Sequence, residues 1–450
     1  MLSPVESSKM LSPIPRRTQF LPIRISIVYL FSTFFIFLSS NLLEKVESIS
    51  MLSLYVISVY LFLYIGYAFG VSTKRNKYLA TTEPTQKQLT RIKRLLLIGM
   101  LYLLAWGINQ IVDFGGNSVS QVLNTISNPG AAYSAKFEVY ERRVATGEVN
   151  RLTQLLIIFS VFYAAFIPTL VVYWRYLNRH IRTLSIASII IYILSFLFIG
   201  TQKGIGDVFI HILAGALILS GMQLLKIDRR QKIKLARAGA ILLALVFSYM
   251  AFNQSSRAEE FGLTTTLMAG DVSNTWISHI FGRDAALGIY TIIGYPSHGY
   301  LGLSYNLSTD FEFSYGAGLS QALESYRYQF FGGTQNFLLT YPFRTEAITG
   351  WPAGMYWSTA FPWFASDVTF PGTVALMFVA GFYFSRVWLN CLTRRDILSF
   401  AMLGQLLTFI AFLPANNQVL MQRQGLWAVA TLIAINIFRK LTHTGSPNRR

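Results

Sequence analysis

Cysteine is almost missing. Cys391 stands alone, so no intrachain disulfide and no cysteine-based metal site can form. Charge is scarce as well: 13% of the 450 residues are charged and 53% are apolar, which removes the chain from the ordinary soluble class. No GxxxxGK followed by Ser or Thr, no GxGxxG after a strand pattern and no HExxH occurs, so nothing marks a nucleotide-cradling loop or a zincin helix. Between Lys234 and Lys440 there is no lysine at all. No internal repeat, heptad run or low-complexity stretch is visible. No carboxylate or basic residue falls in the middle of an apolar run; Asp113, Lys203, Asp207 and Arg386 lie near the ends of runs. Transporters coupled to protons or ions keep such groups near the bilayer midplane, so their scarcity weighs against that class.

What is present is a series of apolar runs. About 20 apolar residues carry a helix across the hydrocarbon core. The runs at 25–43, 50–72, 95–113, 152–173, 184–200, 208–225, 238–253, 371–390, 397–413 and 425–438 predict ten spans. If they alternate direction from a cytoplasmic N-terminus, one side holds 27 Lys/Arg against 4 Asp/Glu and the other 11 against 16. Excess Lys/Arg stays cytoplasmic during insertion, so the split predicts orientation as well as class. The net charge of +18 is thereby explained by short basic connections facing anionic headgroups rather than by a nucleic-acid groove. Arg16, Arg17 and Arg24 precede a first run that is long for a secretory signal and has no convincing cleavage site after it, so an uncleaved first span is expected. MLSP occurs at Met1 and again at Met10, as expected for a disordered tail with two candidate start positions.

The resulting organisation is an all-α polytopic membrane protein. It has a cytoplasmic tail (1–24), seven spans (25–253), a long outer segment (254–370), three further spans (371–438) and a second cytoplasmic tail (439–450). A shorter outer segment, 114–151, is expected to begin as a loop and continue as a surface helix from about Ala135 to Arg151. Within the long segment, Ala285 to Ile293 and Tyr300 to Leu307 are apolar. Making either a full span would turn the later basic residues outward, so a re-entrant or surface-lying element packed in protein is expected instead. A connection of this length in a compact protein is functional or has its own structure.

That segment carries Arg257, Arg283, Arg327 and Arg344 against nine acids, together with four of the eight tryptophans, Trp276, Trp351, Trp357 and Trp363. Arginine forks suit phosphate oxygens, and indole and phenol rings stack on sugar faces. The structural alternatives are pairing with a neighbouring acid (Arg283 with Asp284, Arg257 with Glu259, Arg344 with Glu346) and service in an interfacial aromatic belt. Asp310, Glu324, Asp367 and His298 are the candidate proton acceptors. For them the alternatives are a solvated or paired acid and a hydrogen-bonded structural histidine.

The arrangement resembles the Wzy-type O-antigen polymerases, or oligosaccharide repeat unit polymerases. The family often shows an Asp-aromatic-Gly-x-x-Gly pattern at the outer start of a late span. Here Asp367 and Gly372 keep the spacing, while Val368 and Thr369 replace the aromatic residue and the first glycine. Gly200-Thr201-Gln202-Lys203-Gly204 is similar to the family's glycine followed by a basic residue, with lysine in place of the usual arginine. Arg283 and Gly294 match an Arg-x10-Gly spacing. The resemblance implies a glycosyltransferase of the bacterial inner membrane that moves a growing glycan from polyprenyl diphosphate onto another lipid-linked repeat. Its substrates are undecaprenyl-diphosphate-type oligosaccharides, the donor carries its own leaving group so no nucleotide cofactor is needed, no ligand cluster argues for a metal, and a chain-length regulator is a further partner. On that reading Arg283, Arg327, Arg344 and Lys203 bind the diphosphate, and Asp310, Asp367 or His298 accepts the proton. The competing expectations are an O-antigen ligase acting on lipid A core, a polysaccharide flippase, and a scaffold protein of an envelope complex.

Overall fold

The computed structural model describes residues 12–75, 77–80, 83–224 and 229–444. The MLSP at Met1, the Met10 and Leu11 of its second copy, and the basic Lys226 lie outside these residues. The helices run α1 Leu21–Leu38, α2 Ile49–Ser72, α3 Gln86–Asp113, α4 Val119–Ser127, α5 Pro129–Thr146, α6 Arg151–Ile158, α7 Val161–Tyr173, α8 Arg179–Phe198, α9 Lys203–Gly221 and α10 Arg229–Glu260. They continue as α11 Trp276–Phe281, α12 Arg283–Gly294, α13 Gly299–Leu307, α14 Gln321–Phe331, α15 Tyr341–Thr349, α16 Phe361–Arg394, α17 Ile397–Phe412, α18 Gln418–Met421 and α19 Arg423–Thr444. A two-stranded antiparallel ribbon pairs Thr265–Thr266 with Gly270–Asp271.

Among the described residues, eight helices are long and apolar enough to cross a membrane, or nine if α6 and α7, which meet at a 55° bend, make one span. The 16-residue α17 is a shorter apolar helix lying where the run 397–413 was expected to span. The chain is therefore an all-α polytopic membrane protein, and each expected span meets a helix. Its outer surface agrees: Phe35 and Leu54 are each 70% exposed, and Val28, Leu61 and Val112 also face outward. Such a surface is stable only against lipid, where backbone groups must be satisfied within helices. Polar caps start several of these helices. Thr85 and Gln88 form a reciprocal capping box on α3, and the Asn150 carboxamide accepts the Thr153 N–H at 2.9 Å to open α6.

Packing between spans uses small residues, because lipid provides no hydrophobic drive for helices to associate. Gly66 and Gly70 on α2, a GxxxG pair, lie on the backbone of α16 at Phe378 and Phe382. A Cβ on either would collide with that helix, and one on Gly381 would meet the Leu63 carbonyl. Helix α16 itself is broken at Thr369 (φ 64°, ψ 166°), two residues before Pro371. The expected span 371–390 is the part beyond this break.

The long connection is structured. Helix α10 continues to Glu260 and α16 begins at Phe361, so both ends of the 254–370 segment are extensions of spans. The apolar stretches form α12 and α13, joined by the turn through Tyr295–His298. Gly288 of α12 lies against the Ala251 backbone of α10, and Tyr300 of α13 bonds Thr33 at 2.8 Å and Tyr60 at 2.6 Å, partway down α1 and α2. Helices of 12 and 9 residues packed on other helices make a hairpin rather than a full span, as expected of a re-entrant or surface-lying element packed in protein. The surface helix of the shorter segment is displaced from its expected place. Asn128 caps α5 at Pro129, and Gly147, in the left-handed region at φ 67°, ends it. The Asn-Pro-Gly sequence that reads as loop is in fact a helix start.

Candidate functional site

The end of the bundle that bears α11–α15 encloses a cavity of about 910 Å³. Trp106 and Gln110 of α3, Lys136 and Tyr140 of α5 and Lys203 of α9 form one side. Gln321 and Ser325 of α14, the irregular run through Tyr356 and Trp357, Trp363, Asn416 and the stretch Met421 to Gln424 form the other. Among the described residues, three cations, Lys136, Lys203 and Arg423, line it, and no carboxylate does.

Each cation is held differently. Arg423 opens α19 after the break at Gln422. Its Nε and Nη2 donate to the Ser325 hydroxyl at 3.2 and 3.0 Å, and its guanidinium lies 4.6 Å from the Tyr326 ring centroid. No carboxylate pairs with it among the described residues. The wall carrying it is strapped by Ser320 donating to the Leu420 carbonyl and Asn417 donating to the Leu319 carbonyl, each at 2.7 Å. Lys136 lies over the rings of Tyr133, Phe137 and Tyr140, at 4.7, 4.9 and 5.7 Å. Burial, and then the neighbouring Arg257, bring its ammonium down to about 8. Lys203 is the first residue of α9 and pairs with Asp207 one turn on. Gly200 just before it, at φ 63°, packs on Pro129 and Tyr133, and its carbonyl accepts from Arg257.

Below the large cavity is a small one of about 40 Å³ that shares Lys203, Gln422 and Gln424 with it. Asp207, His211, Tyr163, Tyr192 and Gln405 complete its walls. Asp207 and His211 are 6% and 1% exposed, so an acid and an imidazole do lie inside the bundle, one and two turns below Lys203. Among the described residues, no cluster of three or more His, Cys, Asp or Glu is arranged to hold a metal ion.

The residues expected from the sequence divide between this cavity and its supports. Lys203 lines it. Arg283 is exposed at the start of α12 and does not. Arg327 grips both oxygens of Glu324 at 2.7 Å and donates to the carbonyls of Gly332 and Thr334, folding the 332–336 turn onto α14. Arg344 pairs with Glu312 at 3.1 Å and donates to the backbone carbonyl of the exposed Asp310 at 2.8 Å. Asp367 has both oxygens occupied: Oδ1 accepts from the Ser314 hydroxyl and the Gly316 N–H at 2.6 and 2.8 Å, and Oδ2 from the Leu319 N–H at 2.7 Å. It ties the 314–319 loop to α16.

His298 is equally occupied. Its Nδ1–H donates to the Gly294 carbonyl at 3.1 Å, and Nε2 accepts the Trp357 N–H at 3.2 Å. Its ring stacks on the Trp357 indole, a cavity wall, at 5.6 Å. Burial drives the imidazole down to about 4, against the raising effect of the Gly294 carbonyl. It stays neutral and orients Trp357.

Sequence reasoning passed over Lys136, Arg423, Trp106 and the carboxamides. A signal for Arg423 existed: it is the one charged residue between the last two spans, with no acid nearby in the chain. Trp106 and Gln110 carried none, being one face of a long apolar helix. No protein family, no curated protein and no solved structure matches this chain.

Proposed function

We propose that the chain polymerises polyprenyl-diphosphate-linked oligosaccharide repeats at the outer face of a bacterial inner membrane, with both termini cytoplasmic. The observation that carries the reading is the set of three cations, Lys136, Lys203 and Arg423, on one aromatic-walled cavity with no lining carboxylate. A diphosphate needs such donors, and its departure leaves charge that preformed cations stabilise. Trp357, Trp363, Tyr140 and Tyr356 offer stacking faces for sugars, and Gln110, Gln321, Asn416, Gln422 and Gln424 offer hydroxyl partners. In the transfer, an acceptor hydroxyl oxygen bonds to the donor C1, the C1–O bond to the diphosphate breaks, and the hydroxyl proton leaves to a base. The C1 centre passes through oxocarbenium character. The orientation rests on the charge split between the two faces.

The test is the envelope polysaccharide ladder from cells lacking the gene and from cells carrying Arg423→Ala, Lys136→Ala or, as a control outside the cavity, Arg283→Ala. Expression is verified in each. Collapse to a single repeat in the deletion, reproduced by the cavity variants and not by Arg283→Ala, is expected. Long polymer retained on polyprenyl diphosphate identifies a ligase instead. The buried Asp207 and His211 favour one other class, a transporter, which predicts repeats trapped on the cytoplasmic face. An unchanged ladder refutes all of these.

A further inference from the structure

We propose that Asp207 is the proton acceptor of the transfer, reached from the large cavity through a water held in the small one. This rests on the reading above. The argument begins with unmet hydrogen bonding. Asp207 Oδ1 is buried and has no hydrogen-bond partner among the described residues, and the Tyr163 hydroxyl, beside Tyr192, has none of good geometry. A buried carboxylate oxygen left unpaired is destabilising and rare. Asp207 and Tyr163 both line a pocket of about 40 Å³, room enough for one water and walled by several polar groups. Asp207 Oδ2 is taken by Lys203. That leaves Oδ1 as the unpaired oxygen of a pocket-lining residue, and the pocket's walls at Lys203, Gln422 and Gln424 are also walls of the large cavity.

The neighbouring histidine cannot do this work. His211 Nδ1–H donates to the Asp207 backbone carbonyl at 2.8 Å, and Nε2 accepts from the Gln405 carboxamide at 3.2 Å, so both nitrogens are committed. The remaining walls are tyrosines, a serine, a threonine, carboxamides and apolar groups. Asp207 is thus the one carboxylate among the described residues lining either cavity, and Lys203, Gln422 and Gln424 are walls common to both. Lys203 belongs to both places. When a diphosphate enters, its charge competes with Asp207 for the Lys203 ammonium, so the contact on Oδ2 loosens as the leaving group arrives. The proton passes from the acceptor hydroxyl to the water as a proton of that water moves to Oδ1, and it returns to solvent or to the departing diphosphate after C1–O cleavage.

The experiment uses the full chain in proteoliposomes with lipid extract from cells lacking the gene. Elongated lipid-linked product is followed from pH 5 to 8, and inorganic pyrophosphate binding is measured in parallel. The charged and titratable groups facing Asp207 are Lys203 and His211 on its own helix and Tyr102, Tyr163 and Tyr192 from α3, α7 and α8; α17 presents only Gln405 and Thr408. Asp207→Asn is expected to lower elongation by about 100-fold or more, the range of general-base removal, while pyrophosphate binding persists or tightens because Lys203 is released. Asp207→Glu restores part of the rate with a displaced pH profile. Tyr163→Phe, which removes the second water anchor and keeps the ion pair, lowers the rate about tenfold, an effect smaller than losing the base itself. Wild-type elongation in Asp207→Asn, or in Tyr163→Phe should Asp207→Asn not fold, overturns the inference and leaves the proposed function standing. Failure of the wild-type chain to elongate the extract overturns both.

Discussion

Acidification separates a structural from a chemical role for His298. In the unfolded chain this imidazole titrates near 6.5, and in the folded protein burial holds it at about 4. Its folded value is depressed, so between these limits the unfolded state binds more protons and stability declines as pH falls. The contribution is whole above about pH 6.5, short by about 2 kcal/mol at pH 5, and short by about 3 kcal/mol at pH 4 and below. Other groups titrate in this window, carboxylates above all. The informative quantity is therefore the difference between the wild type and His298→Gln, whose side chain carries no proton to gain. Thermal unfolding of the purified protein in one detergent, read by tryptophan fluorescence from pH 7.5 to 4.5, gives that difference directly. At pH 7.5 the variant is the less stable, because Gly294 and Trp357 lose well-placed partners. Toward pH 4.5 the two curves converge. Parallel curves would refute the argument. A variant with wild-type stability but no activity would return His298 to the chemistry and displace the view that it only aims Trp357.

Asp367→Asn presents an NH2 group to at least one of three N–H or O–H donors. Melting of the purified protein should show a loss of about 2–3 kcal/mol, with new protease sensitivity at 314–319. A stable but inactive variant would instead mark the carboxylate as a reacting group. Because the Lys136 ammonium sits at about 8, pyrophosphate affinity should fall between pH 7 and 9, by roughly tenfold for one lost charge-assisted bond. Lys136→Arg should flatten that dependence, and equal slopes would place the titrating group elsewhere. Gly381→Leu drives a side chain into the Leu63 carbonyl and should abolish a monodisperse peak on size exclusion, whereas Gly206→Ala, with open space around it, should match or exceed the wild type by up to about 1 kcal/mol.

The spans were legible because a helix in lipid needs little more than about 20 apolar residues and polar flanks, a property of composition along the chain. Breaks within spans were not. The 55° bend between α6 and α7 has no proline or glycine at its joint, and Pro371-Gly372 marks a weak point near Thr369 without specifying that Thr369 itself turns left-handed. The candidate site was legible in proportion to how local its cause is. Lys203 follows a glycine that must turn the chain, so a pattern pointed to it. Lys136 and Arg423 lie far apart in sequence and meet only because α5 and α19 close over the same hollow. Charge economy drew attention to Arg327 and Arg344, yet an arginine in a lysine-free segment serves equally well to staple a loop. Glu324 lies one turn before Arg327, where spacing alone does not decide between the two uses, and Glu312, far from Arg344 in the chain, gave no local signal of the pair it makes.

The polar descent from Lys203 through Asp207 and His211 stops at Gln405. Toward the basic end of the bundle lie Leu170, Leu217, Ile218, Phe400 and Leu403, all buried. Such a column conducts nothing: a proton that enters from the side of the large cavity must leave by the same side. Among the described residues, then, the polar groups open toward one end of the bundle only, and whatever is exchanged with Asp207 comes and goes by the large cavity.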